Sequence, residues 1–520
     1  MIKNNFFKFF LIILISGFYF FSRFQNLTSI PVFCDEAIYI RWAQVIQSEE
    51  TLRFIPQTDG KQPLFMWLNA VTLKFIQDPL VAGRLISVFA GFALLLTLFL
   101  ITAVFLNYEE KEDNIFKFIK TSIEKNFYPA IFTSLIYCLI PFSFFFDRLA
   151  LADNLLSFFG FLALFFSFLL SKYPRLDLAF ILGFVLGLSW LTKSPAIYFV
   201  VLSFATFLLF NFRRPKTIVL PIISSFIAFL IYNILRLGPQ FQIIALRNKD
   251  YIWTISEILK HPFDPLKPHL INAFSLYTHY LSLPLIIFSL TGLLLFIVNK
   301  KNRQQILKSK YLVLFAWWLL PLISNAALAK VFTARYILFT LPPFIILISI
   351  GFLNFLSKIK SNFLKIIFII SVFILNINFI YKISLNPFNQ KLISSEQNYL
   401  VDWTSGWGIK ESADFLKQRS LVANIIVGTE GGFGTLPDGL QIYSRNIPHL
   451  TIIGVGLGFT KLPASLVNAR DYGDEVYLLI NKSRLKLETS ESDQLELVKS
   501  FIKSDGDQLL LYKFKPTTVK

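Results

Sequence analysis

Up to Ile380 the chain alternates long apolar runs with short basic connections. A membrane-crossing helix needs roughly 17–25 mainly apolar residues, fewer where charged flanks snorkel to the interface. By that criterion about eleven runs qualify: Phe6–Phe21, Leu85–Leu106, Phe127–Phe146, Leu151–Leu170, Leu178–Leu191, Ala196–Phe210, Ile218–Leu235, Leu283–Val298, Tyr311–Ala329, Tyr336–Leu356 and Phe363–Ile380. The fifth and sixth are short and read as a tight re-entering hairpin around Lys193. The first lacks a small-residue cleavage site before Arg23, so it reads as an uncleaved anchor rather than a signal peptide.

From about Ser384 the pattern changes. Glycine and charge rise and the apolar runs shorten. Gly408–Gln418 has the period of an amphipathic helix, and Ala423–Val427, Leu450–Val455, Val476–Ile480 and Leu509–Phe514 read as strands. The expected fold class is an all-α polytopic membrane domain, residues 1–383, followed by a small extracytoplasmic α/β domain, residues 384–520. The run Gly454-Val455-Gly456-Leu457-Gly458 has a dinucleotide-loop look, but its helix context is poor and a turn between sheet elements is the better reading.

Composition supports the membrane reading. Of 520 residues, 55% are hydrophobic and 16% charged, well below the quarter charged of a soluble globular chain. The bias toward Phe, Ile, Lys and Asn suits an AT-rich, bacterial genome. The net charge of +18 would suggest nucleic-acid binding in a soluble protein. Here the charges sit between apolar runs, where membrane orientation accounts for them, and no nucleic-acid partner is expected. The two cysteines, Cys34 in a loop and Cys138 in an apolar run, are not expected to pair.

The basic short connections carry Lys3 and Lys8, then Lys172 and Arg175, then Arg213, Arg214 and Lys216. Further along come Lys300, Lys301, Arg303, Lys308 and Lys310, and finally Lys358, Lys360 and Lys365. The positive-inside rule makes that side, and the N-terminus, cytoplasmic. Alternation then puts outside the long loops 23–84 and 236–282, the turns bearing Asp147, Arg148, Asp153, Lys193, Lys330 and Arg335, and the C-terminal segment. Aromatic-rich stretches of the outer loops, Tyr39–Ile46 and the neighbourhood of Tyr251-Ile252-Trp253, are expected in the interface plane.

Chemistry collects at those outer ends. The acids are Asp35, Glu36, Asp59, Asp147 and Asp153; the bases are Lys61, Arg84, Arg148, Lys193, Lys330 and Arg335. Ionisable groups beside a bilayer are functional candidates by default, because their desolvation is costly. A carboxylate can take a proton from an attacking hydroxyl, and Lys or Arg can neutralise a departing phosphate. The bland alternative is that the cations mark span ends and touch lipid head groups.

The neighbourhoods of these residues resemble polytopic glycosyltransferases of the GT-C fold, on the branch of protein O-mannosyltransferases and lipid A aminoarabinose transferases. The matching pieces are Asp35-Glu36-Ala37-Ile38-Tyr39, Lys61-Gln62-Pro63-Leu64-Phe65-Met66-Trp67-Leu68, Arg84-Leu85 and Arg148-Leu149-Ala150-Leu151-Ala152-Asp153. Next come Gly187-Leu188-Ser189-Trp190-Leu191-Thr192-Lys193-Ser194-Pro195-Ala196 and Arg335-Tyr336-Ile337-Leu338 with Pro342-Pro343. The pieces span roughly the first 360 residues and are specific as an ordered set rather than singly.

The resemblance implies an inverting transfer of a sugar from a polyprenyl-phosphate donor to a protein, lipid or envelope-glycan acceptor at the outer face of a bacterial plasma membrane. It implies catalytic roles for Asp35, as base, and for Glu36 and Asp153 in support. It implies donor-phosphate contacts from Lys61, Arg84, Lys193 and Arg335. No cofactor is expected, with one qualification. In the aminoarabinose transferases an acidic residue just before the lysine helps bind a metal; here Gly60 stands there with Asp59 behind it, and His261, His269 and His279 are alternative divalent-metal ligands. The rival reading is a transporter or flippase, against which stand charges gathered at one face and the lack of an inverted repeat. A non-catalytic scaffold would leave those charges unexplained.

Overall fold

Each of the expected apolar runs is helical in the computed structural model, which describes residues 2–49, 60–238, 240–298 and 309–516, although Phe127–Phe146 is divided between helices Ile115–Leu139 and Pro141–Phe146 by extended Ile140. Asp59 and the basic residues Lys300, Lys301, Arg303 and Lys308 lie outside those residues. Among the described residues, eight helical stretches are long and apolar enough to cross a bilayer, and a ninth forms if the pair Leu266–Leu281 and Leu283–Leu295 counts as one span. That pair bends by 103°, at Ser282, whose φ of +70° no helix accommodates. Leu176–Thr192 is apolar but has 17 residues. Helix Ile115–Leu139 is charged in its first half and leaves helical geometry at Asn126, three residues before Pro129, so its apolar stretch starts where the sequence pattern does.

The helices differ in what they face. Ala152–Lys172 and Ala334–Ser357 are 78% and 83% buried over their apolar windows, whereas Asn362–Leu385 is only 17% buried. The outer helix exposes Leu364, Ile366, Ile370, Ile374 and Ile377, and Ile2–Phe24 likewise exposes Phe6, Phe9, Phe10 and Leu14. Whole apolar helix faces of this kind are stable against lipid tails and not against water, so the protein is an integral membrane protein. Helices Leu283–Val298 and Leu341–Ser357 meet at glycine: a Cβ on Gly292 would lie 1.8 Å from the Gly351 carbonyl oxygen, so neither backbone could approach with a side chain between them.

Contacts divide the chain into two compact units. The first holds the described parts of Met1–Gln25, Phe54–Phe65 and Leu85–Lys382, the second those of Asn26–Arg53, Met66–Arg84 and Ile383–Lys520. In the first, buried Asp147 accepts hydrogen bonds from Tyr19, Tyr137 and Asn154 and pairs with Arg23 at 3.3 Å. This network ties the N-terminal helix to the helices around it.

The second unit is built on a five-stranded sheet: β1 (Ile425–Thr429), β2 (Leu450–Gly454), β3 (Glu475–Asn481), β4 (Leu495–Ile502) and β5 (Gln508–Phe514), in the order β2-β1-β3-β5-β4. β1 pairs in parallel with both β2 and β3, and the β4–β5 hairpin adds antiparallel to β3. Successive strand residues face opposite ways. Val476, Leu478 and Ile480 pack with Leu466 and Ala469 of helix Ala464–Asp471, while Tyr477 meets Phe415 of helix Ile409–Arg419 on the other face. The four expected strands are present, displaced by no more than two residues. β4 went unread because a bulge between Leu497 and Lys499 breaks its alternation. The glycine run after β2 does not turn into another strand: Gly456 bridges to Gly431, the chain bends with φ of +86° at Gly456 and +69° at Gly458, and it continues to helix Ala464–Asp471.

One expectation is overturned. Helix Cys34–Ser48 does not lay its aromatic residues in a lipid interface. Tyr39 and Trp42 are buried, and within the second unit the same helix holds helix Asp438–Tyr443, Arg41 donating to Gln441 (3.0 Å) and Gln44 to the Ile442 carbonyl (2.9 Å).

Candidate active site

The predicted site residues fall into one group in each unit. In the second, Asp35 and Glu36 occupy the first turn of helix Cys34–Ser48, where the helix dipole favours negative charge. The capping position holds Phe33, which has no side-chain acceptor to offer, so Glu36 reaches back and its Oε2 accepts the Phe33 N–H at 3.0 Å. Asp35 is half-buried in the same turn.

Glu36 is also held from the other side. Arg84 Nε donates to Oε1 at 2.9 Å and Nη2 to Oε2 at 2.8 Å, a bidentate pair with both side chains 0% exposed. The remaining Arg84 hydrogens go to the carbonyls of Leu27 (2.7 Å), Ile30 (2.9 Å) and Pro31 (3.1 Å). A guanidinium has five N–H donors, and all five are spent on protein. Arg84 was expected to contact the donor phosphate. The geometry instead makes it the clamp that fixes residues 27–36, and with them the backbone that presents Asp35.

The first unit gathers the other four. Asp153, 3% exposed, accepts from Lys193 Nζ at 2.6 Å. Lys193 is 20% exposed and lies 4.7 Å from the centre of the Tyr336 ring. The half-buried Arg335 guanidinium lies 4.9 Å from the same ring, and its Nη2 donates to the Tyr336 hydroxyl at 3.3 Å. The next residue in the chain, Ser194, takes a hydrogen bond from Gln62 at 2.6 Å, which fastens the Lys61-Gln62 segment beside the Lys193-Ser194 segment. Two cations on one aromatic ring repel each other unless an anion sits between or beside them; the ring quadrupole offsets only part of that cost. Of these four predicted groups three are cationic and one is a carboxylate. Tyr336 and Gln62 lie inside the matching motifs, but nothing in the sequence marks either for a role or signals the link to Ser194.

Two further charges of the outer ends are structural. Arg148 is fully buried, donates to the Gln25 carbonyl at 2.9 Å and packs on Phe144. Lys330 donates to the Lys249 carbonyl at 2.7 Å and lies over Trp253.

Among the described residues, nothing takes the place of the acidic metal ligand of the aminoarabinose branch; Asp59 lies outside them. Gly60 has φ of +62°, and a Cβ there would come within 2.9 Å of the Arg247 side chain and 3.1 Å of the Ile243 carbonyl, so no carboxylate fits in that place. His261 pairs with Asp264 at 3.2 Å, and His269 meets the Ala326 carbonyl at 2.9 Å. His279 lies edge-on to Tyr280 and Phe379. Among the described residues no three His, Cys, Asp or Glu side chains converge on a metal position.

With helices, sheet and charged groups in place, the fold is that of polytopic GT-C membrane proteins. Two solved structures share it over almost the entire chain, both of ArnT from Cupriavidus metallidurans. The apo structure aligns with a TM-score of 0.57 at 12% identity, covering 98% of each chain. The structure bound to undecaprenyl phosphate aligns with a TM-score of 0.59 at 11% identity, covering 96% of this chain and 97% of that one. No family model and no curated protein matches the sequence.

Proposed function

We propose that the protein is an inverting glycosyltransferase that moves a sugar from a polyprenyl-phosphate donor to an acceptor at the outer face of the membrane. The observation that carries the reading is the placement of Lys193 and Arg335 on Tyr336, with Asp153 orienting the lysine and Lys61 fastened alongside through Gln62 and Ser194. A surplus of cations at an apolar, partly buried position suits a lipid-linked phosphate. The ArnT structure with undecaprenyl phosphate supports that donor class.

In this reading Lys193, Arg335 and Lys61 hold the phosphate and neutralise the charge that grows as the sugar–phosphate bond breaks. Asp35 takes the proton of the acceptor hydroxyl as its oxygen attacks the anomeric carbon from the opposite side. The new bond joins that carbon to the acceptor oxygen, the bonding pair leaves with the polyprenyl phosphate, and the proton stays on Asp35. Glu36 and Arg84 act through the backbone that carries Asp35. The N-terminus is cytoplasmic and the segment from 384 onward extracytoplasmic, forming its own domain with parts of the first outer loop.

The test supplies purified protein with synthetic undecaprenyl-phosphoryl hexoses and 4-amino-4-deoxypentoses, plus envelope extract as acceptor. Release of undecaprenyl phosphate that requires both protein and extract is expected. No release across the panel, with protein-dependent movement of the intact lipid across vesicles, would replace this reading with a transporter.

A further inference from the structure

We infer that the turn of the β4–β5 hairpin positions Asp35, by bracing the segment Asp402–Gly406 against the backbone of residues 32–34; Lys503 is the principal positioning residue. The inference rests on the proposed role of Asp35 and gives the C-terminal domain a part in catalysis.

The chain of contacts lies inside the second unit. Phe33 and Ser405 form an antiparallel bridge, in which the Cys34 N–H donates to the Thr404 carbonyl at 3.1 Å and the Gly406 N–H to the Val32 carbonyl at 2.9 Å. The Phe33 ring also packs on Tyr399, with centroids 4.5 Å apart. Residues 32–34 are thus paired as a strand, directly before Asp35 enters the helix. Gly406 makes the approach possible: a Cβ there would stand 2.4 Å from Val32 Cγ1 and 2.6 Å from the Val32 carbonyl oxygen.

Among the described residues, segment 402–406 pairs as a strand with residues 32–34 alone. Three consecutive residues of the hairpin turn also hold it. Lys503 Nζ donates to the carbonyls of Asp402 and Ser405, both at 2.8 Å. Ser504 Oγ donates to the Leu400 carbonyl at 2.7 Å, and Asp505 accepts the Asp402 N–H at 2.9 Å. Lys503 is 2% exposed. A lysine buried to that degree is costly, and burial pulls its pKa down to about 8. Its two carbonyl partners are a specific arrangement that a surface lysine would not need. Beyond this, Trp403 is pinned beneath the Arg484 guanidinium at 3.9 Å. Arg84 therefore clamps residues 27–36 from one helix, and the hairpin turn braces the same backbone through segment 402–406.

The test uses the full-length protein with two variants. Lys503→Met removes the donors and keeps the side-chain length; Gly406→Ala forces the bridge apart without touching Lys503. Hydrogen exchange is followed on peptides covering residues 30–36, and kcat and donor KM come from the undecaprenyl phosphate release assay. Both variants are expected to speed exchange at 32–34 and to lower kcat roughly ten- to a hundred-fold, the scale of a displaced catalytic group, with donor KM within about twofold of wild type. Unchanged exchange overturns the brace. Faster exchange with unchanged kcat overturns its catalytic role, and equal losses in kcat and donor binding reduce it to general stability. Asp35→Asn, measured alongside, separates the two levels: if that variant turns over normally, the reading of Asp35 as base fails whatever the exchange data show of the brace.

Discussion

Arg84 is where sequence expectation and geometry part, so its replacement is informative. In Arg84→Met the Glu36 carboxylate stays buried without its cation, and the carbonyls of Leu27, Ile30 and Pro31 lose the donor they share. Breaking a buried pair by removing one partner costs about 3–5 kcal/mol. At roughly 2–4 °C per kcal/mol for a unit of some 150–250 residues, the melting midpoint should fall by about 6–20 °C. Arg84→Lys keeps the charge but not the planar fork, and should fall between. Arg84→Met combined with Glu36→Gln removes both charges and should recover a large share of the loss. Thermal melts in detergent with a thiol-reactive fluorogenic dye suit the question, because half-buried Cys34 begins the helix held by the clamp and Cys138 is buried. Undecaprenyl phosphate binding is measured on the same samples below the transition. The clamp account predicts lower stability with binding retained. A melting midpoint within about 2 °C of wild type, joined to weaker lipid binding, would return Arg84 to the phosphate and refute the reasoning.

Further outcomes follow from the same structure. Lys193→Gln and Arg335→Gln should each raise the apparent donor KM roughly ten- to a hundred-fold, the worth of a charge-assisted phosphate contact; unchanged donor kinetics in folded protein would make both residues head-group anchors. Reporter fusions after Lys216, Lys300 and Lys360 should read cytoplasmic and a fusion after Lys382 external, since the basic connections alternate with the spans; a cytoplasmic signal from the last reverses the orientation. Lys503 also gives a pH signature. Its folded pKa of about 8 lies below the unfolded value of about 10.4, so between those values the unfolded chain binds the proton that the folded chain has released. Stability should therefore rise with pH through that window, by up to roughly 3 kcal/mol relative to Lys503→Met, and the gain should be absent below pH 8. A difference between the two proteins that stays flat from pH 7 to 10 contradicts the burial of a titrating lysine.

Much of this architecture was legible from hydropathy alone, because lipid-facing and bundle-facing helices both demand apolar residues and only their connections can carry charge. The grouping of Asp153, Lys193 and Arg335 was legible as type and place, each charge standing at a span end, but their common ring was not. Tyr336 gains its role only when the turn after Lys193 and the helix beginning at Ala334 come together. The misreading of Arg84 has a physical cause: a sequence shows that a guanidinium is present and not that its five hydrogens are already taken. Tyr39 and Trp42 misled for a related reason, since an aromatic amphipathic helix looks the same whether its partner is a lipid interface or, as here, the helix Asp438–Tyr443 some 400 residues away in the chain. The brace from Lys503 joins residues remote in sequence through backbone carbonyls, which leave no trace in side-chain identity.

The central claim is that Asp35 removes the acceptor proton. Asn at that position keeps the shape and some hydrogen bonding but cannot accept the proton. The most direct measurement pairs turnover of undecaprenyl-phosphoryl sugar with undecaprenyl phosphate binding on one preparation of Asp35→Asn. The account predicts kcat lower by about a hundred-fold or more with lipid binding nearly unchanged, and a milder loss in Glu36→Gln. Turnover by Asp35→Asn close to wild type would contradict it and remove Asp35 as the base.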